Sequence, residues 1–279
     1  MFYVRRMTVE DFTFAVKIAD TMNWGLAVED FEFMMKLEAE GCFTLLNDSE
    51  RVGIATTISY GKIGWLGNVI IDEKSRGKGG GSILVKHSVD FLIGKGAKTI
   101  GIYGYLERIP FYSKQGFKFD SEYLVLKGRG FSVSPSSRID EATWDDFQRI
   151  INLDQLYFGV SRRKLLESIF NGSGNLCYVY KDKGEIVGFI MVKVFSEMAE
   201  VGPLVCIRHS GGAAISLLRM ALSKLGGLEV SIYVPKKETK ILKVLKEFGF
   251  KEEFSLARMF HGSPIVSDYV YVAEALERG

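Results

Sequence analysis

The chain has few of the residues that most often announce chemistry. Three cysteines (Cys42, Cys177, Cys206) and three histidines (His87, His209, His261) are scattered through 279 residues. The cysteines are odd in number and far apart. They suggest neither a disulfide framework nor metal-ligand spacing, so no metal is expected. An excess of one charge is also missing. Thirty-six Lys and Arg against 34 Asp and Glu leave a formal net charge of +2. That is too little for an obligate nucleic-acid binder, and no nucleic-acid partner is expected. A mildly basic balance still suits a protein that handles an anionic ligand. No uncharged apolar run is long enough to span a bilayer, so no membrane partner is expected. Met1 to Met7 carries charges with no apolar run behind them, unlike a signal peptide, and a cytoplasmic location is expected.

What is present is a composition 47% apolar and 25% charged, enough for a packed core. The length suits two domains of ordinary size better than one. An internal repeat supports two. Thr8-Val9-Glu10-Asp11-Phe12 recurs as Thr143-Trp144-Asp145-Asp146-Phe147, and Val52-Gly53 as Val187-Gly188. Arg76-x-x-Gly79-x-Gly81 recurs as Arg208-x-x-Gly211-x-Ala213, and Gly116-Phe117-Lys118 as Gly249-Phe250-Lys251. Four matches in order at nearly one offset point to two copies of one fold. The Gly/Ser-rich stretch Gly128 to Ser137 is the natural junction. The expected division is 1–130, a linker at 131–137, and 138–279.

The first copy alternates its elements. Strands are expected at Phe2–Arg6, Phe43–Leu46, Val52–Tyr60, Trp65–Ile71, Thr99–Tyr105 and Phe117–Leu126. Helices are expected after the N-cap candidate Thr8, at Val28–Ala39, at Ser82–Ile93 and at Ile109–Gln115. The order β-α-α-β-β-β-α-β-α-β describes an α/β layer fold.

Arg76-Gly77-Lys78-Gly79-Gly80-Gly81 lies on a strand-to-helix turn. Glycine lets backbone take positive φ and approach a ligand closely. The first amides of a helix lack intrahelical partners and sit at the positive end of its dipole, which makes an anion site. Arg76 and Lys78 add full charges. On its own such a turn also suits a basic surface loop. It is not a P-loop, because no Gly-Lys-Ser/Thr ending follows. Nor is it a dinucleotide turn, because three strands come before the one that leads into it.

With Asn68-Val69-Ile70-Ile71-Asp72 before the turn and Phe111-Tyr112-Ser113-Lys114-Gln115-Gly116-Phe117 after it, residues 1–127 resemble the GNAT family of N-acetyltransferases. The fold implied is two tandem GNAT-like domains, each a mixed, mostly antiparallel twisted sheet flanked by helices. The resemblance implies an enzyme that moves an acetyl group from acetyl-CoA to a primary amine by direct attack in a ternary complex. It implies a pantetheine arm alongside Val69, Ile70 and Ile71, with an amide near Ile70 or Ile71 at the carbonyl oxygen. It implies the pyrophosphate on Arg76, Gly77, Lys78, Gly79, Gly80, Gly81 and Ser82, and Tyr112 as general acid. Taken alone, Tyr112 is as well a packing aromatic. Two positions depart from the family pattern: Asp72-Glu73 at the strand exit, and Tyr105 where an Asn often stands.

Trp24, in the loop between the first two helices, either borders the acceptor site or anchors the loop. Tyr103 and Tyr105 are further candidates for lining that site. A Trp/Tyr wall suits an aromatic, apolar or cationic acceptor, whether small molecule or peptide. No general base stands out. Glu29, Asp30, Asp72 and Glu107 all read as solvated surface charges. A homodimer is left open.

In the second copy, Leu245 stands where Tyr112 stands in the first, and an alkyl chain cannot donate a proton. With Tyr233-Val234-Pro235 and Arg258-Met259, this half resembles the degenerate C-terminal GNAT-like domain of tandem acetyltransferases. The alternative to an enzyme is a non-catalytic acyl-CoA sensor or scaffold.

Overall fold

A computed structural model describes residues 1–131, 138–207, 210–265 and 270–279. The expected linker, apart from Phe131, lies outside the described residues, as do Arg208 and His209. The first repeat runs β1 (Phe2–Arg6), α1 (Phe12–Asp20), α2 (Val28–Glu38), β2 (Cys42–Asn47), β3 (Glu50–Ser59), β4 (Ile63–Ile71), α3 (Gly80–Gly94), β5 (Thr99–Tyr105), α4 (Ile109–Lys114) and β6 (Lys118–Arg129). The second runs β7 (Ile139–Glu141), α5 (Trp144–Phe158), α6 (Arg163–Phe170), β8 (Leu176–Asp182), β9 (Glu185–Val194), β10 (Met198–Cys206), α7 (Gly211–Ser223), β11 (Glu229–Pro235), α8 (Thr239–Glu247) and β12 (Lys251–His261). A short β13 (Val270–Val272) follows. The element order expected for the first repeat is observed.

The repeated Thr-x-x-Asp motif has one local job in both copies. Asp11 accepts from the Thr8 amide at 2.9 Å, and Asp146 from the Thr143 amide at 3.1 Å. Each carboxylate fixes the chain's entry into its first helix. In the first copy a single 3₁₀ turn, Val9–Asp11, precedes α1. Asp11 is fully buried and also takes hydrogen bonds from Arg5 at 2.6 and 2.8 Å, Arg51 at 2.6 Å and Thr44 at 3.1 Å. Burial alone would raise its pKa, but these donors win and hold it well below the ordinary carboxylate range.

All strands belong to one sheet, in the order β1-β2-β3-β4-β5-β12-β6-β11-β10-β9-β8-β7, with β13 added to β10. Among the described residues, only β4–β5 and β10–β11 are parallel strand pairs. The two repeats exchange their last long strands. β12 of the second repeat pairs with β5 of the first, from Leu256↔Tyr105 to His261↔Ile100. β6 of the first pairs with β11 of the second, from Glu229↔Arg129 to Pro235↔Tyr123. Alternation along β12 then feeds both cores of the first repeat. Met259 enters the layer under α3 and α4, while Phe260 enters the layer under α1 and α2. Burying such side chains stabilises by about 1.5–3 kcal/mol each. The chain's two halves are therefore separate in sequence but completed by each other in the sheet.

Central strand β3 is buried from Gly53 to Thr57 without alternation, because helices cover both faces. The face under α1 and α2 carries Ile54, Ile58 and Trp65. The opposite face carries Ala55, Leu66, Ile100 and Ile102.

Candidate active site

Parallel pairing of β4 with β5 stops at Leu66↔Ile102. Just beyond, Asn68 takes positive φ (51°) in a bulge against β3, and its Nδ2 donates to Thr56 Oγ1 at 3.2 Å. After the bulge, Ile70 and Ile71 still pair with β3, through Ile54 and Gly53. The strands β4 and β5 have by then parted. Among the described residues, backbone of Val69, Ile70 and Ile71 on the β5 side has no strand partner, so apart from the Ile71 carbonyl, which Arg76 occupies, it offers hydrogen-bonding groups to something extended laid in the gap.

That open edge runs into the glycine turn. The Asp72 side chain accepts from the Lys74 amide at 3.1 Å and ends the strand. Gly77 and Gly79 take φ of 76° and 89°, values that a side chain would strain. Helix α3 starts at Gly80, two residues earlier than its apolar pattern suggests. Gly80 packs against Leu45 so closely that a β-carbon there would lie 2.9 Å from Leu45 Cδ2. Among the described residues, the amides of residues 77–81 find no acceptor. They lie at the N-terminus of a 15-residue helix, where Arg76 to Gly79 is exposed, Gly81 half-buried and Gly80 buried. Arg76 Nε donates back to the Ile71 carbonyl at 2.9 Å, which holds the guanidinium over the junction of strand and turn. Lys78 is exposed.

The first turn of α3 is tied to α4. Gln115 Nε2 donates to Ser82 Oγ at 3.1 Å, and Gly81 faces the Phe111 ring. Tyr112 is on the same helix, its ring laid on Gly104 of β5 and edged by Phe111 and Phe117 at 5.0 and 6.0 Å. It is 7% exposed, and burial raises its phenol pKa above the usual value against a small opposing effect of Arg108. Among the described residues, Arg219 Nε is the one fully buried side-chain nitrogen or oxygen without a partner, so the Tyr112 hydroxyl is not sealed away unsatisfied.

On the opposite face, Trp24 Nε1 donates to Tyr105 Oη at 2.8 Å, so the α1–α2 loop closes over the end of β5. Tyr103 packs between Trp65 at 5.3 Å and Tyr123 at 4.8 Å. Together with Phe158, Arg162 and Arg258, these rings border a cavity of about 20 Å³ built by both repeats. The last residues of the chain wall it. Trp65 Nε1 donates to the Leu276 carbonyl at 3.1 Å, and Tyr60 Oη to the Arg278 carbonyl at 2.9 Å. The sequence singles out Tyr112, Trp24, Tyr103 and Tyr105 as candidates, and the structure sets Tyr112 beside the glycine turn and the other three on the opposite face, Trp24 and Tyr105 joined at the end of β5 and Tyr103 against Trp65 and Tyr123. Sequence reasoning missed Gln115, Asn68 and the 270–279 segment. Gln115, three residues after Tyr112 at the cap of the same short helix, could have been suspected. The segment carried no motif.

The second repeat has the same parting of parallel strands, after Val201↔Ile232. There the chain fills its own gap. β13 pairs with β10 through Leu204↔Val272 and Val205↔Val270, and Ala273 N donates to the Tyr233 carbonyl at 3.0 Å. Gly211 and Gly212 at the start of α7 do not take positive φ, and Leu245 is buried in the core.

Comparison with known proteins fits this geometry. Residues 7–117 match the model of the acetyltransferase (GNAT) family, and residues 150–271 match a second acetyltransferase (GNAT) domain model. A relative from Pseudoalteromonas sp. (strain SANK 73390), named holothin acyltransferase, is 25% identical over 260 residues, covering 91% of this chain and 86% of the relative. A solved structure of a candidate acetyltransferase from Pyrococcus horikoshii shares the fold over 100% of this chain and 96% of that one, at 22% identity and a TM-score of 0.84. A tandem GNAT protein from the clavulanic acid biosynthesis pathway covers 95% of this chain and 100% of its own, at 12% identity and a TM-score of 0.62. GNAT acyltransferases use acyl-CoA and act on amine acceptors. Two family matches on two copies of the same strand-parting fold make this chain a tandem member of the GNAT family and an acyltransferase.

Proposed function

We propose that the protein transfers an acetyl group from acetyl-CoA to a primary amine by direct attack in a ternary complex, with the chemistry in residues 1–130. The observation that carries this reading is the β4 edge, Val69 to Ile71, which lacks a strand partner on the β5 side and leads straight into a turn whose amides, residues 77–81, find no acceptor among the described residues. A pantetheine arm would lie along the edge like an added strand. Its pyrophosphate would meet the amides of Gly77, Gly79, Gly80, Gly81 and Ser82, with Arg76 and Lys78 supplying charge. An amide at Ile70 or Ile71 would face the thioester oxygen. Tyr112, whose helix is tied to the anion turn by the Gln115–Ser82 hydrogen bond at its C-terminal end, would protonate the departing thiolate. Trp24, Tyr103 and Tyr105 would line the acceptor's approach, which suits an aromatic, apolar or cationic amine. A relative named for acylating holothin supports acyl transfer as the activity. The filled gap between β10 and β11 supports a second repeat that builds structure and binds no acyl-CoA.

Thiol release with acetyl-CoA and a panel of primary amines tests the reading. Turnover with at least one amine is expected, and it should be lost together with acetyl-CoA binding when Arg76 and Lys78 are both replaced by Glu. The alternative reading is a non-catalytic acyl-CoA sensor or scaffold. That reading predicts acetyl-CoA binding with no turnover on any amine.

A further inference from the structure

Beyond β13 the chain leaves the second repeat and crosses the α1–α2 face of β4. There Gly67 has no side chain of its own, and a β-carbon on it would overlap Cα and Cβ of Glu277. The Leu276 and Arg278 carbonyls on either side are held by Trp65 and Tyr60. Glu277 therefore stands where the side chain of residue 67 would stand. This is one residue before the Asn68 bulge, at the point where β4 and β5 part.

Its surroundings leave it with basicity to use. The groups facing it come from every element packed there. They are Lys193 on β9, Glu200 on β10, Tyr233 on β11, and Glu274 and Arg278 on its own segment, with Asp30 at the start of α2 facing the same Glu200, Arg278 and Lys193. Lys193 holds Glu200 at 2.6 Å and Glu274 at 3.0 Å. Arg278 holds Glu274 at 3.0 Å, approaches Glu200 at 3.6 Å and pairs with Glu277. Three carboxylates thus share two cations. Glu274 gains most, and Arg278 and Lys193 bring it down to about 2 against its burial. Glu200 is likewise lowered by Lys193 and Arg278 against burial, and takes the Tyr233 hydroxyl at 2.7 Å. Burial raises Glu277, with Arg278 opposing and Glu200 adding to the rise. Asp30 is raised too, but its carboxylate caps α2 by accepting from the Ala27 amide at 2.8 Å. Other carboxylates near the gap are engaged or face solvent. Asp72 caps its own turn, and Glu29 and Glu107 are exposed.

We propose that Glu277 is the general base that deprotonates the acceptor ammonium. The assignment rests on the acetyltransferase reading above. Glu277 takes one proton from the ammonium, and the freed lone pair forms the C–N bond at the thioester carbonyl. The C–S bond breaks with its electron pair on sulfur, which takes a proton from Tyr112. The second nitrogen proton restores Tyr112, and Glu277 returns its proton to water. The sum is ammonium plus thioester giving amide, thiol and one proton.

The test compares wild type and Glu277→Gln on two acceptors, an aliphatic amine that is an ammonium at pH 7 and an aromatic amine that is already neutral. General-base work is worth roughly 10²–10⁴-fold. With the aliphatic acceptor, kcat should fall at least about 10²-fold. Its kcat/KM should then climb about tenfold per pH unit toward the acceptor's own pKa, as the free amine becomes available. With the neutral acceptor the loss should be within about threefold, and acetyl-CoA affinity should not change. Equal losses on both acceptors, or none on either, would overturn the assignment. A wild type inert toward every amine would instead sink the acetyltransferase reading, and the base with it. If Glu277→Gln does not fold, Glu277→Asp keeps the charge and withdraws it by one bond. An unchanged kcat there, with the aliphatic acceptor, would overturn the proposal.

Discussion

Replacing Tyr112 by Phe removes one hydroxyl and leaves the ring on Gly104, between Phe111 and Phe117. Because no side chain is left unpaired by the change, stability should move by no more than about 0.5 kcal/mol. The effect on rate is limited by proton affinities. A thiol has a reference pKa of ~8.5 and a phenol ~10, so a phenol gives its proton to a thiolate uphill by about 2 kcal/mol. Burial lifts the Tyr112 phenol further and makes it a weaker acid still. General acids contribute about 10²–10⁴-fold, and this one should sit at the low end, near 10². The raised pKa has a second consequence, with a definite sign. An acid works while protonated, so the wild-type rate should show no loss from Tyr112 titration up to at least about pH 10. Steady-state thiol release against pH, with acetyl-CoA affinity measured separately, checks all three points. An unchanged kcat in Tyr112→Phe would refute the acid role. So would a parallel loss of kcat and acetyl-CoA affinity, since the phenol is not part of the anion turn.

Two further outcomes follow from the turn and the buried carboxylate. Gly79→Ala puts a side chain at φ 89° and displaces the amides of residues 77–81, so acetyl-CoA affinity in a calorimetric titration should drop by about 10-fold or more, with little change in melting temperature. Asp11→Asn leaves Arg5 and Arg51 without their carboxylate and should cost about 2–3 kcal/mol in a denaturant melt, toward the lower range for a buried pair because both arginines are a third or more exposed. The folded pKa of Asp11 lies below its unfolded value, so its stabilisation is full above about pH 4 and fades as pH falls through the folded pKa. The gap between wild type and Asp11→Asn should therefore close in acid.

Local features were legible in the sequence, and long-range partnerships were not. The glycine turn, the Tyr112 helix and the strands around them follow from periodicity, capping and glycine placement, all of which act over a few residues. The repeat was visible too, and the Thr8–Asp11 and Thr143–Asp146 caps show why its first match exists. The strand exchange was hidden. β6 and β12 carry apolar runs, Tyr123 to Leu126 in one and Met259-Phe260 in the other, that say they are buried, not which strand lies beside them. The 270–279 segment was hidden for a similar reason. Its Glu274, Glu277 and Arg278 look like surface charges in sequence, and only their shared pairing with Lys193 and Glu200 makes burial tolerable. Gly67 was hidden as a clue because the residue that fills its missing side-chain space is 210 positions away.

Each chain should hold one working acyl-CoA site, at the parting of β4 and β5, with its counterpart at β10 and β11 closed by β13. Titration of the purified protein with acetyl-CoA measures this directly. The predicted result is one molecule bound per chain, abolished by charge reversal at Arg76 and Lys78. Two equivalents per chain, or one that survives that reversal, would contradict it.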